Sequence, residues 1–141
     1  MSYKNKMNLK FLSLSENESF ARLAVASFCS NVKLTIDEIS DIKTAVSEAV
    51  TNCVVHAYAE TIGEIEINCL ITDNQITIEI IDNGIGIEDI NQAIKPFFTT
   101  KPEMERSGMG FTVMEGFMDK MEVISTKEKG TKVVLIKNIK P

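Results

Sequence analysis

Apolar positions recur along the chain with two different periods, and the points where the period changes mark out the elements. Residues 7–14, MNLKFLSL, alternate and predict a strand whose apolar members are Leu9, Phe11 and Leu12. The next stretch, SENESFARLAVASFCS, opens on Ser15 and Glu18, a capping-box pair, and predicts a helix over about 16–30 with Phe20, Leu23, Ala24 and Ser27/Phe28 on one face. A second such pair, Thr35 and Glu38, opens the longest helix, about 36–57, in which Ile39, Ile42, Val46, Ala49, Val50 and Cys53 recur at helical spacing. Gly63 ends the connection. The period then drops to two: Glu64–Ile71 and Gln75–Ile81 are rich in β-branched residues and are separated by the turn residues Thr72, Asp73 and Asn74, which predicts a hairpin.

From Asp82 to Met109 no period holds, and Gly84, Gly86 and Gly108 gather there with Pro96 and Pro102. A loop of that length inside a compact domain is usually functional. Gly110–Asp119 reads as a short helix, and Met121–Thr126 with Thr131–Ile136 as a closing hairpin across Lys127–Gly130. Strands cluster in pairs without regular βαβ alternation. The expected architecture is an α+β two-layer sandwich, a mixed, mostly antiparallel sheet with helices on one face, in a single domain over residues 1–141.

Composition narrows the function classes. With 141 residues, 44% of them hydrophobic, the chain can bury one core and not two. Twenty acidic against fifteen basic side chains leave a net charge of -5, which repels phosphate backbones, so no direct nucleic-acid contact is expected. Cys29, Cys53 and Cys69 are odd in number and form no C-x-x-C, which reads as unpaired buried thiols in a reducing cytoplasm. Met1–Lys10 carries charge and no apolar signal core, and no apolar run approaches the roughly 20 residues that span a bilayer, so a cytoplasmic protein without membrane contact is expected.

Four sets of residues could carry chemistry. Glu48 and Asn52 lie four apart on the long helix, about 40° apart around its axis, and His56 continues their line away from the stripe centred on Val46 and Cys53. Such a polar stripe is either a solvated helix face or a base and a metal ligand facing a bound molecule; a carboxylate takes a proton, and an amide oxygen coordinates a hard cation such as Mg²⁺ without adding charge. Asp82-Asn83-Gly84-Ile85-Gly86 directly follows a strand. It is either a plain Asn-Gly turn or a close backbone approach with a carboxylate placed to accept from an exocyclic amine such as that of adenine. Ser107-Gly108-Met109-Gly110-Phe111 opens a helix, where N–H groups and the macrodipole can hold an anion; a linker turn is the other reading. It is neither a Walker A loop nor a Rossmann fingerprint. Between the two glycine motifs, Pro96–Glu103 with Thr99, Thr100 and Lys101 is either a surface loop or a lid over a nucleotide.

The order of these motifs resembles that of the GHKL ATPase superfamily: Glu48–Asn52 stands as its N box, Asp82–Gly86 as its first glycine box and Gly108–Gly110 as its second. SENESFAR (15–22), SEAVTN (47–52), FTTKPEMERSGMGF (98–111) and KGT (129–131) further resemble the anti-sigma F factors of sporulating bacteria, a family of serine/threonine protein kinases. The resemblance runs over nearly the whole chain. Related stress-response anti-sigma kinases, or a module that binds ATP without catalysis, share the shorter motifs. The resemblance implies a histidine-kinase-like fold, an ATP/ADP and Mg²⁺ site with a lid over about 95–107, and a homodimer. It also implies two protein partners, a sigma factor held inactive and an anti-anti-sigma factor phosphorylated on serine. It makes Glu48 the general base, Asn52 the Mg²⁺ ligand, and Asp82 the reader of the adenine amine. Gly84 and Gly86 would admit the base and sugar, and Thr131 would stand at the adenine end. Thr99, Lys101, Ser107, Gly108, Met109, Gly110 and Phe111 would enclose the phosphates, and Arg22 would touch a partner.

Overall fold

The computed structural model describes residues 4–87 and 110–140. Five strands, β1 (Asn5–Leu12), β2 (Glu64–Ile71), β3 (Gln75–Asp82), β4 (Lys120–Thr126) and β5 (Gly130–Asn138), form one sheet in the order β1-β2-β3-β5-β4. Three helices, α1 (Glu16–Cys29), α2 (Ile36–Asn52) and α3 (Gly110–Phe117), join it in one core. The two-layer α+β architecture is the expected one. The sheet is not mixed among the described residues, however, since all four pairings are antiparallel.

The period-two pattern sets the layers. Ile65, Ile67, Cys69 and Ile71 of β2, Ile76, Ile78 and Ile80 of β3, and Val133 and Leu135 of β5 alternate inward and are buried. The opposite face is polar and partly solvated: Lys132 pairs with Glu79 at 3.1 Å, and Asn8 donates to Glu66 at 2.7 Å. β5 lies between β3 and β4, so the last residue of β3, Asp82, pairs with Thr131 at the start of β5, and Thr131 pairs with Ser125 of β4.

The Thr35 capping box forms as expected: Glu38 N–H donates to Thr35 Oγ1 at 3.0 Å, and Thr35 N–H donates to Glu38 Oε1 at 2.9 Å. From there α2 buries Ile42, Ala45, Val46, Ala49 and Val50. The box expected at Ser15 does not form. Ser15 is itself helical (φ -58°, ψ -30°), which turns its hydroxyl away from the first-turn amides, and Glu18 N–H bonds the Ser15 carbonyl instead. The buried face of α1 also differs from the expected one. Ala21, Val25 and Cys29 are buried, whereas Phe20 and Leu23 are 51% and 54% exposed. A row of small side chains lets α1 lie close against α2. The larger Phe20 stays outside, where its ring meets Phe11 of β1 edge-on at 6.4 Å. β1 begins two residues before the predicted start, and its inward members are Met7, Leu9 and Phe11, with Leu12 turned out.

The long helix does not stay α-helical to residue 57. It widens into a π turn, Cys53–Ala57, in which Tyr58 N–H donates to the Cys53 carbonyl at 3.0 Å. His56 lies inside this turn, so the α-helical pitch that put it on the Glu48–Asn52 line does not apply to it. The three cysteines are free and buried, as expected, and burial pushes the Cys29 thiol up to about 12. No helix among the described residues is long and apolar enough to cross a membrane.

Candidate nucleotide-binding site

Asp82 is the anchor of the site. It ends β3 on the inward face, is 5% exposed, and accepts from Gly84 N–H at Oδ1 (2.9 Å) and from the Cys53 thiol at Oδ2 (3.5 Å). Burial raises its pKa; the hydrogen bonds from the Gly84 amide, the Cys53 thiol and the Thr131 amide pull it back only in part. An ionised carboxylate can accept at about four lone-pair sites, so capacity remains for a ligand donor. Its cross-strand partner Thr131 is also buried and on the same face.

The π turn brings α2 to this strand end. It places Cys53 against Asp82, and it puts the Ala57 carbonyl against the glycine turn, where it accepts from Ile85 N–H at 3.2 Å. A Cβ at Gly84 would stand 2.3 Å from that carbonyl oxygen, so the turn can seat there only with glycine. Gly86 takes φ +75°. Tyr58 bolts the arrangement together: its hydroxyl donates to the Glu64 carbonyl at 2.8 Å and accepts from Asn83 N–H at 2.7 Å. π turns of this kind occur often at functional sites.

Glu48 and Asn52, both half-buried, lie on the last turns of α2, and Asn52 immediately precedes the cysteine that touches Asp82. Asp82, Gly84, Gly86, Thr131 and the end of α2 therefore meet at one end of the sheet. Arg22 is farther back, on α1. It pairs with Glu18 at 3.6 Å and donates to Ser19 at 3.2 Å, while its Nε is buried without a hydrogen-bond partner. Glu18 also accepts from Ser47, the residue before Glu48, so α1 and α2 are tied at this point.

Gly110 is buried at the first turn of α3, and the Phe111 ring packs against the core, which leaves its backbone as the part available to a ligand. At the other end of α3 the buried Lys137 donates to the Phe117 carbonyl, a cation at a helix C-terminus. Thr99, Lys101, Ser107, Gly108 and Met109, with the lid expected over 95–107, lie outside the described residues. Four residues that shape the site were not assigned to it from sequence: Cys53, Tyr58, Ser125 and Gly130. Only Gly130 carried a signal, as part of the KGT motif.

A sheet with helices on one face, and a helix ending beside a glycine turn led by a buried carboxylate, define the class of this protein. The family model described as "Histidine kinase-like ATPase domain" matches residues 11–137. The crystal structure of the RsbU and RsbW domains of a Mycobacterium tuberculosis protein shares the fold, with a TM-score of 0.68 at 17% identity over 96% of this chain and 32% of that one. Among curated proteins, the anti-sigma F factor of Caldanaerobacter subterraneus subsp. tengcongensis is 61% identical over 139 residues, covering 99% of this chain and 97% of the relative. That of Clostridium acetobutylicum is 56% identical over 133 residues, covering 94% and 93%. The chain belongs to the histidine kinase-like ATPase domain family and, within it, to the anti-sigma F factors.

Proposed function

We propose that this chain is an ATP-dependent serine/threonine protein kinase that also acts as an anti-sigma factor. In this reading it works in the cytoplasm as a homodimer, holds the sporulation sigma factor F inactive, and phosphorylates an anti-anti-sigma factor on serine. The observation that carries the reading is the buried Asp82 carboxylate, an acceptor with spare capacity at a strand end, flanked by a glycine turn and the Glu48–Asn52 end of α2. The printed names of the relatives supply the sigma-factor role.

In this reading Asp82 accepts from the adenine amine, with Thr131 beside it. Gly84 and Gly86 bring the backbone up to the base and sugar. The amide oxygen of Asn52 suits a hard cation, and Mg²⁺ bound there would offset phosphate charge. Thr99, Lys101, Ser107, Gly108, Met109, Gly110 and Phe111 enclose the phosphates. Glu48 accepts the proton of the partner's serine hydroxyl as that oxygen attacks the γ-phosphorus in line, and ADP leaves. Positioning carries most of the acceleration, and the base adds about 10²–10⁴ in rate.

The experiment is a pair of variants assayed for Mg-ATP affinity and for phosphoryl transfer to a serine-bearing anti-anti-sigma factor. Glu48→Gln should keep the affinity and lose most of the transfer; Asn52→Ala should lose Mg-ATP binding itself. Full transfer by Glu48→Gln removes the base from the proposal. Arg22→Ala should weaken partner binding with ADP affinity intact, and an unchanged partner titration would count against that contact.

A further inference from the structure

We infer that Ser125 is a positioning residue that fixes the hydroxyl polarity of Thr131, so that the pocket selects a purine with an amine at C6 over one with a carbonyl there. The inference rests on the proposal that the Asp82 end receives the base.

Asp82, Thr131 and Ser125 form a row across β3, β5 and β4, one residue per strand, all on the inward face. The Ser125 Oγ has three polar neighbours: Ile87 N–H at 2.7 Å, the Gly130 carbonyl oxygen at 2.9 Å, and Thr131 Oγ1 at 2.7 Å. A serine hydroxyl has one hydrogen and two lone pairs. The Ile87 amide can only donate, so it occupies one lone pair. The Gly130 carbonyl can only accept, so it takes the hydrogen. What remains for Thr131 is the second lone pair, and Thr131 must therefore donate to Ser125.

With its hydrogen committed, Thr131 has only lone pairs to offer a ligand. Ionised Asp82, next in the row, is likewise acceptor-only. Both are nearly buried, at 9% and 5% exposure, so water competes poorly for them. Two adjacent acceptors suit an exocyclic amine, which brings two N–H donors. A carbonyl oxygen in the same place would face two acceptors and supply no hydrogen. Selection of this kind, in which a mismatched ligand leaves buried polar groups unpaired, discriminates strongly. Ser125 touches no base in this account; it acts by deciding which way Thr131 points its hydrogen.

The test is calorimetric titration of the full chain with ADP and with IDP, the latter carrying a carbonyl at C6. The wild type should prefer ADP. Ser125→Ala frees the Thr131 hydroxyl to rotate and donate to the inosine carbonyl. ADP should then bind more weakly and IDP more tightly, with the ADP:IDP preference falling about tenfold or more. Ser125→Thr, which keeps the hydroxyl, should restore the preference. General damage to the site would weaken both ligands together, so the opposite movement is the diagnostic. A folded Ser125→Ala with the wild-type preference overturns the inference. Should Ser125→Ala show no cooperative melt, Thr131→Val replaces it: removal of the acceptor should narrow the preference, and an unchanged preference overturns the inference equally. A wild type that binds neither nucleotide overturns the site reading itself, a failure distinct from ADP binding with preference unmoved.

Discussion

Replacing Asp82 by Asn should move stability and nucleotide affinity in opposite directions. The carboxylate is 5% exposed, and its side-chain oxygens accept from the Gly84 amide at 2.9 Å, a weak thiol donor at 3.5 Å and the Thr131 amide. Burial holds its folded pKa above the ordinary carboxylate value, which the unfolded chain retains. The folded state therefore binds this proton more tightly. The stability it contributes is complete below the ordinary Asp range and is lost as pH rises through the raised folded value. While it is ionised, the carboxylate of the nucleotide-free protein bears a desolvation cost that its three donors offset only in part, about 1–3 kcal/mol that a neutral amide avoids. At roughly 3–5 °C per kcal/mol for a domain of this size, Asp82→Asn should raise the Tm at pH 7 by about 3–15 °C. The gap should close as pH falls through the raised folded value and the wild-type group takes up its proton. Meanwhile the charge-assisted bond proposed between Asp82 and an adenine amine would be lost, about 1.5–3 kcal/mol, so ADP affinity should fall roughly 10- to 150-fold. Thermal melts without nucleotide from pH 7 downward, with calorimetry at pH 7, read the two effects. An Asn variant less stable than wild type at pH 7, or one that binds ADP undiminished, refutes the reasoning.

A pair of glycine variants tests the backbone clasp around the site. Gly130 takes φ +100°, and a Cβ there would stand 2.1 Å from the Asp82 carbonyl oxygen, so Gly130→Ala should cost about 2–5 kcal/mol in urea unfolding. Gly116, with nothing within 4 Å of an added Cβ, should gain up to about 1 kcal/mol from the same change. The thiols offer a third check. Burial pushes Cys29 up to about 12 and raises Cys53 and Cys69 as well, so folded protein at pH 7 should take up almost no maleimide until denaturant is added. Rapid labelling of native protein would show that these side chains are not packed as described.

What was legible in the sequence followed from how local the determinants are. The β2–β3 hairpin was bounded to within a residue because alternation and turn chemistry lie in adjacent positions. The two capping boxes have the same pattern with different outcomes, because the backbone of Ser15 is already helical while that of Thr35 is extended. The buried face of α1 is not legible from its period because apolar side chains run most of the way round it. Contact with α2 selected the small row Ala21, Val25 and Cys29, and no helical period encodes that choice. In the site, Asp82, Gly84, Gly86 and Thr131 stood out as motif residues. Cys53 was read only as a core thiol, and Tyr58 and Ser125 were not singled out, because each acts on a partner distant in sequence: Cys53 on Asp82, Tyr58 on Asn83, Ser125 on Ile87. The π turn that aims Cys53 also seats the Ala57 carbonyl against the glycine turn, a contact no local pattern reveals.

Titration of the magnesium-containing wild-type protein with ADP, followed by calorimetry, meets the central claim head-on. The account predicts saturable binding of one nucleotide per chain. Heat no greater than that of dilution, at millimolar ADP and with the protein shown to be folded, would contradict it.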